Sequence, residues 1–399
     1  MGENSQANSG RTVLYAGVGP ELRRYDVDVE GAALVRRGSV KLPANAQYGW
    51  QHVSRNFFYA SSSTRGPGGV PGASANGHYL NAFRVDRSSG ELQPHGAPVA
   101  LAHRPIHTTI DATSSHLLVA YSDPSGLTVH AIRPDGTIGD VVKQTAAIDA
   151  GIYAHQVRVA PSNTTVILVT RGNDSKEGKP EDPGALKVFN YKDGLLSGEV
   201  SVAPGGGYGF GPRHLDFHPS QPWVYVALER QNRLCLFTLL NGALSREPLF
   251  SKQTLAEPGN RRPRQLCGTV HVHPNGRFVY VAERATTDIA GTPDSVYNTG
   301  GENTIVAFAI NQTIGEPEFL QRVDTRGMHP RTFSIDPSGR LMIVGNKSPV
   351  VPANGSQGAR IPASLDVFRI GSDGKLDYVR KYDVDVGSAS MFWSGLITL

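Results

Sequence analysis

Four charged residues stand where apolar segments start and stop in the stretch "GFGPRHLDFHPSQPWVYVALERQNRLCLF", residues 209–237. Arg213 and His214 open one strand-like segment, and Glu229 and Arg230 close the next, after the turn "HPSQP". In an antiparallel pair the start of one strand lies beside the end of the other, so these groups meet at one rim. One carboxylate among guanidiniums and imidazoles is a suitable general acid/base in an anion-binding site.

The placement recurs along the chain. Reading the starts of the presumptive inner strands gives Trp50 to His52, His107, His155, Arg213 with His214, His271, and Arg331. The ends of the strands that follow give Tyr121, Arg171, Glu229, Arg284 and Asn346. All are expected to face one mouth of a channel. A structural reading stands beside each: Arg213 as a strand cap, His214 and His218 as packed histidines, Glu229 as a salt-bridge partner of Arg213 or Arg284. As rim residues, Arg213 and Glu229 are expected to be replaceable without unfolding the protein. His155 is the histidine best placed for chemistry, because it opens an inner strand.

The cluster has too few carboxylates for Ca²⁺ and no His/Cys spacing typical of Zn²⁺, and His271 with His273 makes a poor metal pair. No G-x-S-x-G elbow, P-loop or dinucleotide fingerprint occurs. No metal and no cofactor are expected.

The elements that carry these residues repeat. "IDATSSHLLVAYS", "VAPSNTTVILVTR", "FHPSQPWVYVALE", "VHPNGRFVYVAER" and "IDPSGRLMIVGNK" share one form. An alternating strand meets a tight turn, and a more continuously apolar strand follows. A third strand comes next ("GLTVHAI", "ALKVFNY", "RLCLFTL", "NTIVAFAI", "SLDVFRI"), and a fourth follows turn signals such as "KDGLL" or "GSDGKL". A period of roughly 40 to 60 residues is that of four-stranded propeller blades. β-branched and aromatic content in every segment argues against a helical solenoid. Units start near Tyr48, Ile106, Ala154, Pro212, Thr269 and Pro330. Three leftover strands at the start ("TVLYAGV", "LRRYDVDV", "AALVRRGSV") and one at the end ("MFWSGLITL") complete a seventh blade. The expected fold class is therefore all-β: a seven-bladed β-propeller closed by pairing of the N- and C-terminal strands, residues 391–399 beside 11–18, which leaves no open sheet edge. Residues 11–399 are expected to form a single domain behind a disordered tail, residues 1–10. Four Gly/Pro/Ser-rich insertions all follow a second strand, and they are expected to wall or cover one mouth.

Bulk properties agree. The chain has 399 residues, 39% of them hydrophobic, with 45 Gly and 27 Pro, which favours many short strands and turns. Its net charge is +4, with the basic residues scattered rather than blocked, so no nucleic-acid partner is expected. Cys235 and Cys267 each sit in an apolar run and read as buried reduced thiols, not a disulfide scaffold. The start "MGENSQANSGR" has no apolar stretch and no run spans a bilayer, so a soluble cytoplasmic protein without a membrane partner is expected.

With "AHQVRVAPSN", "GPRHLDFHPSQPWVYVALERQNRLCLFTL", "VHVHPNGRFVYVAER" and "HPRTFSIDPSGRLMIVGNK", the chain resembles the lactonase family of seven-bladed propellers. That family includes bacterial 6-phosphogluconolactonases and the fungal 3-carboxy-cis,cis-muconate lactonizing enzyme. The resemblance implies that His155, Arg213, Glu229 and Arg284 are the catalytic cluster. His107, Arg171, His214, His271, Arg331 and Asn346 are then expected to bind substrate. The chain departs from the family in its long rim insertions and in the ending "SASMFWSGL", where a Gly-Pro-Met-Trp type is usual, and both changes alter substrate shape. The implied function is hydrolysis of a small lactone bearing a carboxylate or phosphate. In that reading arginines hold the anion and the oxyanion, and Glu229 or His155 activates water. The related cycloisomerase acting on a muconate-type diacid is the alternative, and a non-catalytic propeller scaffold the third reading.

Overall fold

The computed structural model describes residues 10–65, 77–259, 265–285, 297–298, 301–352 and 361–399. Residues 1–9, most of the expected tail, lie outside them, as do parts of three of the four rim insertions.

Seven antiparallel sheets form a closed ring. Blade 1 runs outward from Met391–Thr398 through Thr12–Val18 and Glu21–Asp28 to Ala33–Lys41. Blades 2 to 7 begin with the inner strands Asn45–Gln51, Pro105–Ile110, Ala154–Val159, Pro212–Phe217, Gln265–Val272 and Pro330–Ile335. Each continues outward in chain order, blades 2 and 5 ending in an outer edge of two short pieces. The ring closes where Thr12 pairs with Thr398, Val13 with Ile397 and Tyr15 with Gly395. The C-terminal segment is thus the innermost strand of blade 1, held in place by the N-terminal one.

The second strands are largely apolar and buried because neighbouring blades cover both of their faces: Trp223–Leu228 and Thr165–Thr170 are buried at every position. The outer strands, with one face in solvent, bury residues only intermittently, as in Leu195–Val202. Seven clusters of buried side chains fill the seven gaps between adjacent blades, including the gap between blades 7 and 1. Truncating a leucine or isoleucine in such a layer costs about 2–5 kcal/mol.

Polar bonds tie blades 2, 5 and 6 to a turn of the next blade. The hydroxyls of Tyr59, Tyr225 and Tyr280 donate to the carbonyls of Gly136, Gly315 and Gly374 at 2.9, 2.8 and 2.9 Å. The rings of His218 and His273 bond the carbonyls of Gly276 and Gly339, both at 2.8 Å, so these two histidines are structural. Gly276 and Gly339 have φ of +71° and +75°, and a Cβ there would meet the bonded histidine at 2.6 and 2.4 Å. Glycine is required at both turns.

Candidate active site

Every inner strand breaks register near its start. One extra residue bulges out in six blades: Gln47, Ile106, His155, Arg213, Arg331 and Phe392. In blade 6 Gly268 and Thr269 together face one partner. A bulge re-aims a side chain, and three of these are the histidine and arginines singled out from sequence. A second set comes from the residues just beyond the adjoining strand. The amides of Arg171, Glu229 and Lys347 bond the carbonyls of Tyr153, Gly211 and His329, and Arg284 pairs with Leu266 at the matching place. Successive blades therefore present Arg171, Glu229, Arg284 and Lys347 at one level of the mouth.

Glu229 is the hub. Arg171 Nη1 donates to its Oε2 at 2.9 Å, Arg284 Nη2 donates to Oε1, and Arg213 Nε lies 3.1 Å from Oε1. Glu229, Arg213 and Arg284 are all buried, at 3%, 1% and 3% exposure. Burial alone would raise the Glu229 pKa, but Arg284, Arg171 and Arg213 outweigh it and hold the carboxyl at about 2. The Arg213 contact is an ion pair without hydrogen-bond alignment, and its Nε and Nη1 have no hydrogen-bond partner among the described residues. Arg284 Nη1 also donates to the Cys267 carbonyl at 2.9 Å.

Arg331 differs from these. Its guanidinium lies 3.7 Å from the centroid of the Phe392 ring, its Nε donates to the Phe392 carbonyl at 3.1 Å, and it pairs with no carboxylate among the described residues. Burial and the charges of Arg213, Arg284 and Arg104 all disfavour its protonated form. Four guanidiniums thus stand around one carboxylate, three of them paired with it, and the excess positive charge calls for an anion. His155 lies among them. Burial first, then Arg213, Arg331, Arg171 and Arg284, pushes its pKa well below the usual histidine value, so the imidazole is neutral at pH 7.

The other expected residues occupy different levels. His107 and His214 stand one position further along their strands, in mid-channel, their ring centroids 6.0 Å apart. His271 and Trp50 face the opposite mouth. They line a cavity of about 220 Å³ together with Tyr48, His214, Thr332 and Trp393. There Asp216 takes an ion pair from Arg158 at 3.0 Å and contacts His271 Nδ1 at 3.4 Å. The expectation that His271 and Trp50 to His52 open their strands is corrected: those strands begin at Gln265 and Asn45, several residues earlier. His52 instead bonds Ser54 in the turn beyond its strand at 2.8 Å. Asn346 points away from the channel into blade 7, where its Nδ2 donates to Asp366 at 2.9 Å and Thr325 at 3.1 Å. Tyr121 bonds Thr128 within its own blade at 2.7 Å.

Arg230 pins a rim insertion rather than joining the cluster. It reaches Asp174 at 2.8 Å and the Arg171 carbonyl at 2.9 Å, which fixes the segment after Thr165–Thr170 against blade 5. The insertions of blades 6 and 7 meet as a short parallel pair, Tyr297–Asn298 with Val351–Pro352.

Three residues of the mouth were not singled out from sequence. Arg104, Tyr153 and His329 each precede an inner strand. Tyr153 and His329 have φ of +57°, and Arg171 packs 4.1 Å from the Tyr153 ring centroid. Arg104 donates to Gln47 at 3.0 and 3.1 Å. The signal in the sequence is a glycine two residues earlier, in "GIYA" and "GMHP".

Both cysteines are free and buried. Among the described residues no helix is long and apolar enough to cross a membrane.

Comparison with known proteins agrees with this architecture. The family described as "Lactonase, 7-bladed beta-propeller" matches residues 12–349. A 6-phosphogluconolactonase of Bacillus subtilis is 26% identical over 332 residues, 81% of this chain and 83% of that protein. One of Formosa agariphila is 25% identical over 277 residues, covering 67% and 71%. Among solved structures, a periplasmic gluconolactonase of Pseudomonas aeruginosa superposes with TM-score 0.70 at 22% identity, covering 95% of this chain and 98% of that one. A Lactobacillus plantarum protein superposes with TM-score 0.69 at 19% identity, covering 98% and 99%.

Proposed function

The chain belongs to the lactonase family of seven-bladed β-propellers, and from that premise we propose that it hydrolyses a small anionic lactone of the 6-phosphogluconolactone type, without a metal, at the mouth built by Arg171, Arg213, Glu229, Arg284 and Arg331. The observation that carries the reading is the charge imbalance: four guanidiniums around one carboxylate, with a neutral imidazole among them. The names of the relatives point to the same substrate class.

The roles follow from protonation. Glu229, held at about 2, is a weak base, and its three ion pairs make it the support that orients Arg171, Arg213 and Arg284. His155 is the better proton acceptor, because a neutral imidazole has a free nitrogen and its Nδ1 has no protein partner among the described residues. In the free protein burial and then the surrounding arginines weaken it as a base. A bound anion offsets the arginines' share of that effect and raises its basicity, so substrate binding itself prepares the general base. The Arg213 donors left without partners are available to the oxyanion that develops when water attacks the carbonyl. Arg331, unpaired with any carboxylate among the described residues, is the residue for the distal anion.

A cytoplasmic location is part of the same reading, supported by the two free thiols, and is checked by cell fractionation.

The test is acid release in weak buffer, measured against the spontaneous rate, with 6-phosphogluconolactone and, separately, ultraviolet loss of a muconate-type diacid. Catalysed acid release supports hydrolysis. Loss of the diene with no acid release would transfer the assignment to cycloisomerisation.

A further inference from the structure

Hydrolysis leaves a proton to be removed. Water adds its oxygen to the lactone carbonyl carbon, the ring C–O bond breaks, and the departing alkoxide takes one proton. The product carboxylic acid ionises at neutral pH, so each turnover releases one more proton. The arginine-ringed mouth that attracts the anionic substrate repels that proton.

Below the mouth His155 heads a column of imidazoles, and its other two members, His214 and His107, have no part in the roles above. The His155 and His214 ring centroids are 5.2 Å apart, and those of His214 and His107 6.0 Å. One water bridges neighbouring rings at such separations. His107 is fully buried beneath the Tyr48 ring, 3.9 Å between centroids, yet neither of its nitrogens has a protein partner among the described residues; nor does His155 Nδ1. Buried polar nitrogens are nearly always hydrogen-bonded, and water is the partner that remains. His214 also lines the cavity of about 220 Å³ that leads to the opposite mouth, with room for several waters at roughly 30 Å³ each. At that mouth the His271 side chain is 30% exposed and is backed by Asp216. Burial first, then Arg213 for His155 and His214 and Arg158 followed by Arg213 for His107, keeps the three imidazoles neutral, each with one nitrogen to accept and one to donate.

We propose that this axial channel is a proton exit, in which His155 and then the mid-channel pair His214 and His107, joined by water, carry the proton of each turnover from the arginine-ringed mouth to the cavity that His214 lines at the other end. The inference rests on the hydrolytic reading above. Substrate and proton then use opposite ends of the channel. His107 and His214 act through His155 and are positioning residues for proton transfer, without contact to substrate.

The test is His107→Phe. Phenylalanine keeps the packing against Tyr48 and removes two nitrogens that bond no protein group among the described residues, so the variant should melt no lower than the wild type. The expected result is a fall in kcat of about tenfold or more with KM unchanged, reversed by adding imidazole buffer. His214→Phe should behave alike. Wild-type kcat in a well-folded His107→Phe protein, or a loss that imidazole does not relieve, overturns the proposal. A second measurement does not depend on turnover. In the wild type, NMR cross-peaks should link water to the His107 and His214 ring protons. A dry column overturns the exit even in an active lactonase, whereas a wild type that releases no acid from a lactone refutes the hydrolytic reading instead.

Discussion

Arg171 and Glu229 hold the same place in successive blades, one residue past the second strand, and meet as an ion pair at 2.9 Å. The repeat itself brings the two charges together. Arg213 and Arg284 complete the set around the same carboxylate.

Glu229→Gln therefore removes the charge that three guanidiniums share, those of Arg213 and Arg284 buried and that of Arg171 partly so. Breaking a buried pair costs about 3–5 kcal/mol, so the variant should melt markedly lower as well as turn over slowly, contrary to the expectation for a rim residue. The sign of the pH effect follows from a folded pKa of about 2, below the unfolded value. The stabilisation is complete above the ordinary carboxylate range and is lost as pH falls through about 2. Thermal melts from pH 7 to pH 2 check this. A Glu229→Gln protein with wild-type melting behaviour would remove Glu229 as the hub.

The pH profiles of kcat/KM and kcat should differ. The former reports the free protein, in which burial and four arginines hold His155 well below its usual value. Its acid limb should lie well under pH 6.5. The limb of kcat, which reports the complex, should lie higher, because the bound anion offsets the arginines. Coincident limbs at pH 6.5 would contradict the substrate-prepared base.

Deleting residues 391–399 removes the inner strand of blade 1 and exposes the edge of Thr12–Val18. It also removes Phe392, which carries Arg331. Loss of a single cooperative melt, with aggregation, is expected; light scattering during a thermal scan reads both.

Extensive dialysis against EDTA should leave turnover unchanged. The described residues hold no group of three or more His, Cys, Asp or Glu side chains able to grip an ion. Activity lost to EDTA and restored by Ca²⁺, Mn²⁺ or Zn²⁺ would overturn the metal-free mechanism.

The blade count and the terminal closure were legible in the sequence because strand pattern and turn residues recur, and because three strands and one were left over at the two ends. Charged strand tips likewise marked Arg171, Arg213, Glu229, Arg284 and Arg331. Depth along the channel was not legible. The inner strand of blade 2, "NAQYGWQ", has no charged tip, and that of blade 6 opens with a two-residue bulge at Gly268 and Thr269, so both were started too late. His271 and Trp50 were thereby assigned to the wrong mouth. Asn346 ends a strand as expected, yet its side chain follows Asp366 and Thr325 into the blade, a choice set by partners distant in sequence. Tyr153 and His329 escaped notice because their place depends on a left-handed backbone, marked in the sequence only by a glycine two residues earlier.

The central claim is that the excess guanidinium charge at the mouth selects an anionic lactone. The direct measurement is kcat/KM for 6-phosphogluconolactone and for gluconolactone without the phosphate, in the wild type and in Arg331→Ala. A charge-assisted hydrogen bond contributes about 1.5–3 kcal/mol, so the wild type should favour the phosphorylated lactone by about tenfold or more. Arg331→Ala should lose that preference through KM while handling the neutral lactone as before. Equal turnover of both lactones by the wild type, or a preference that survives Arg331→Ala intact, would contradict the account.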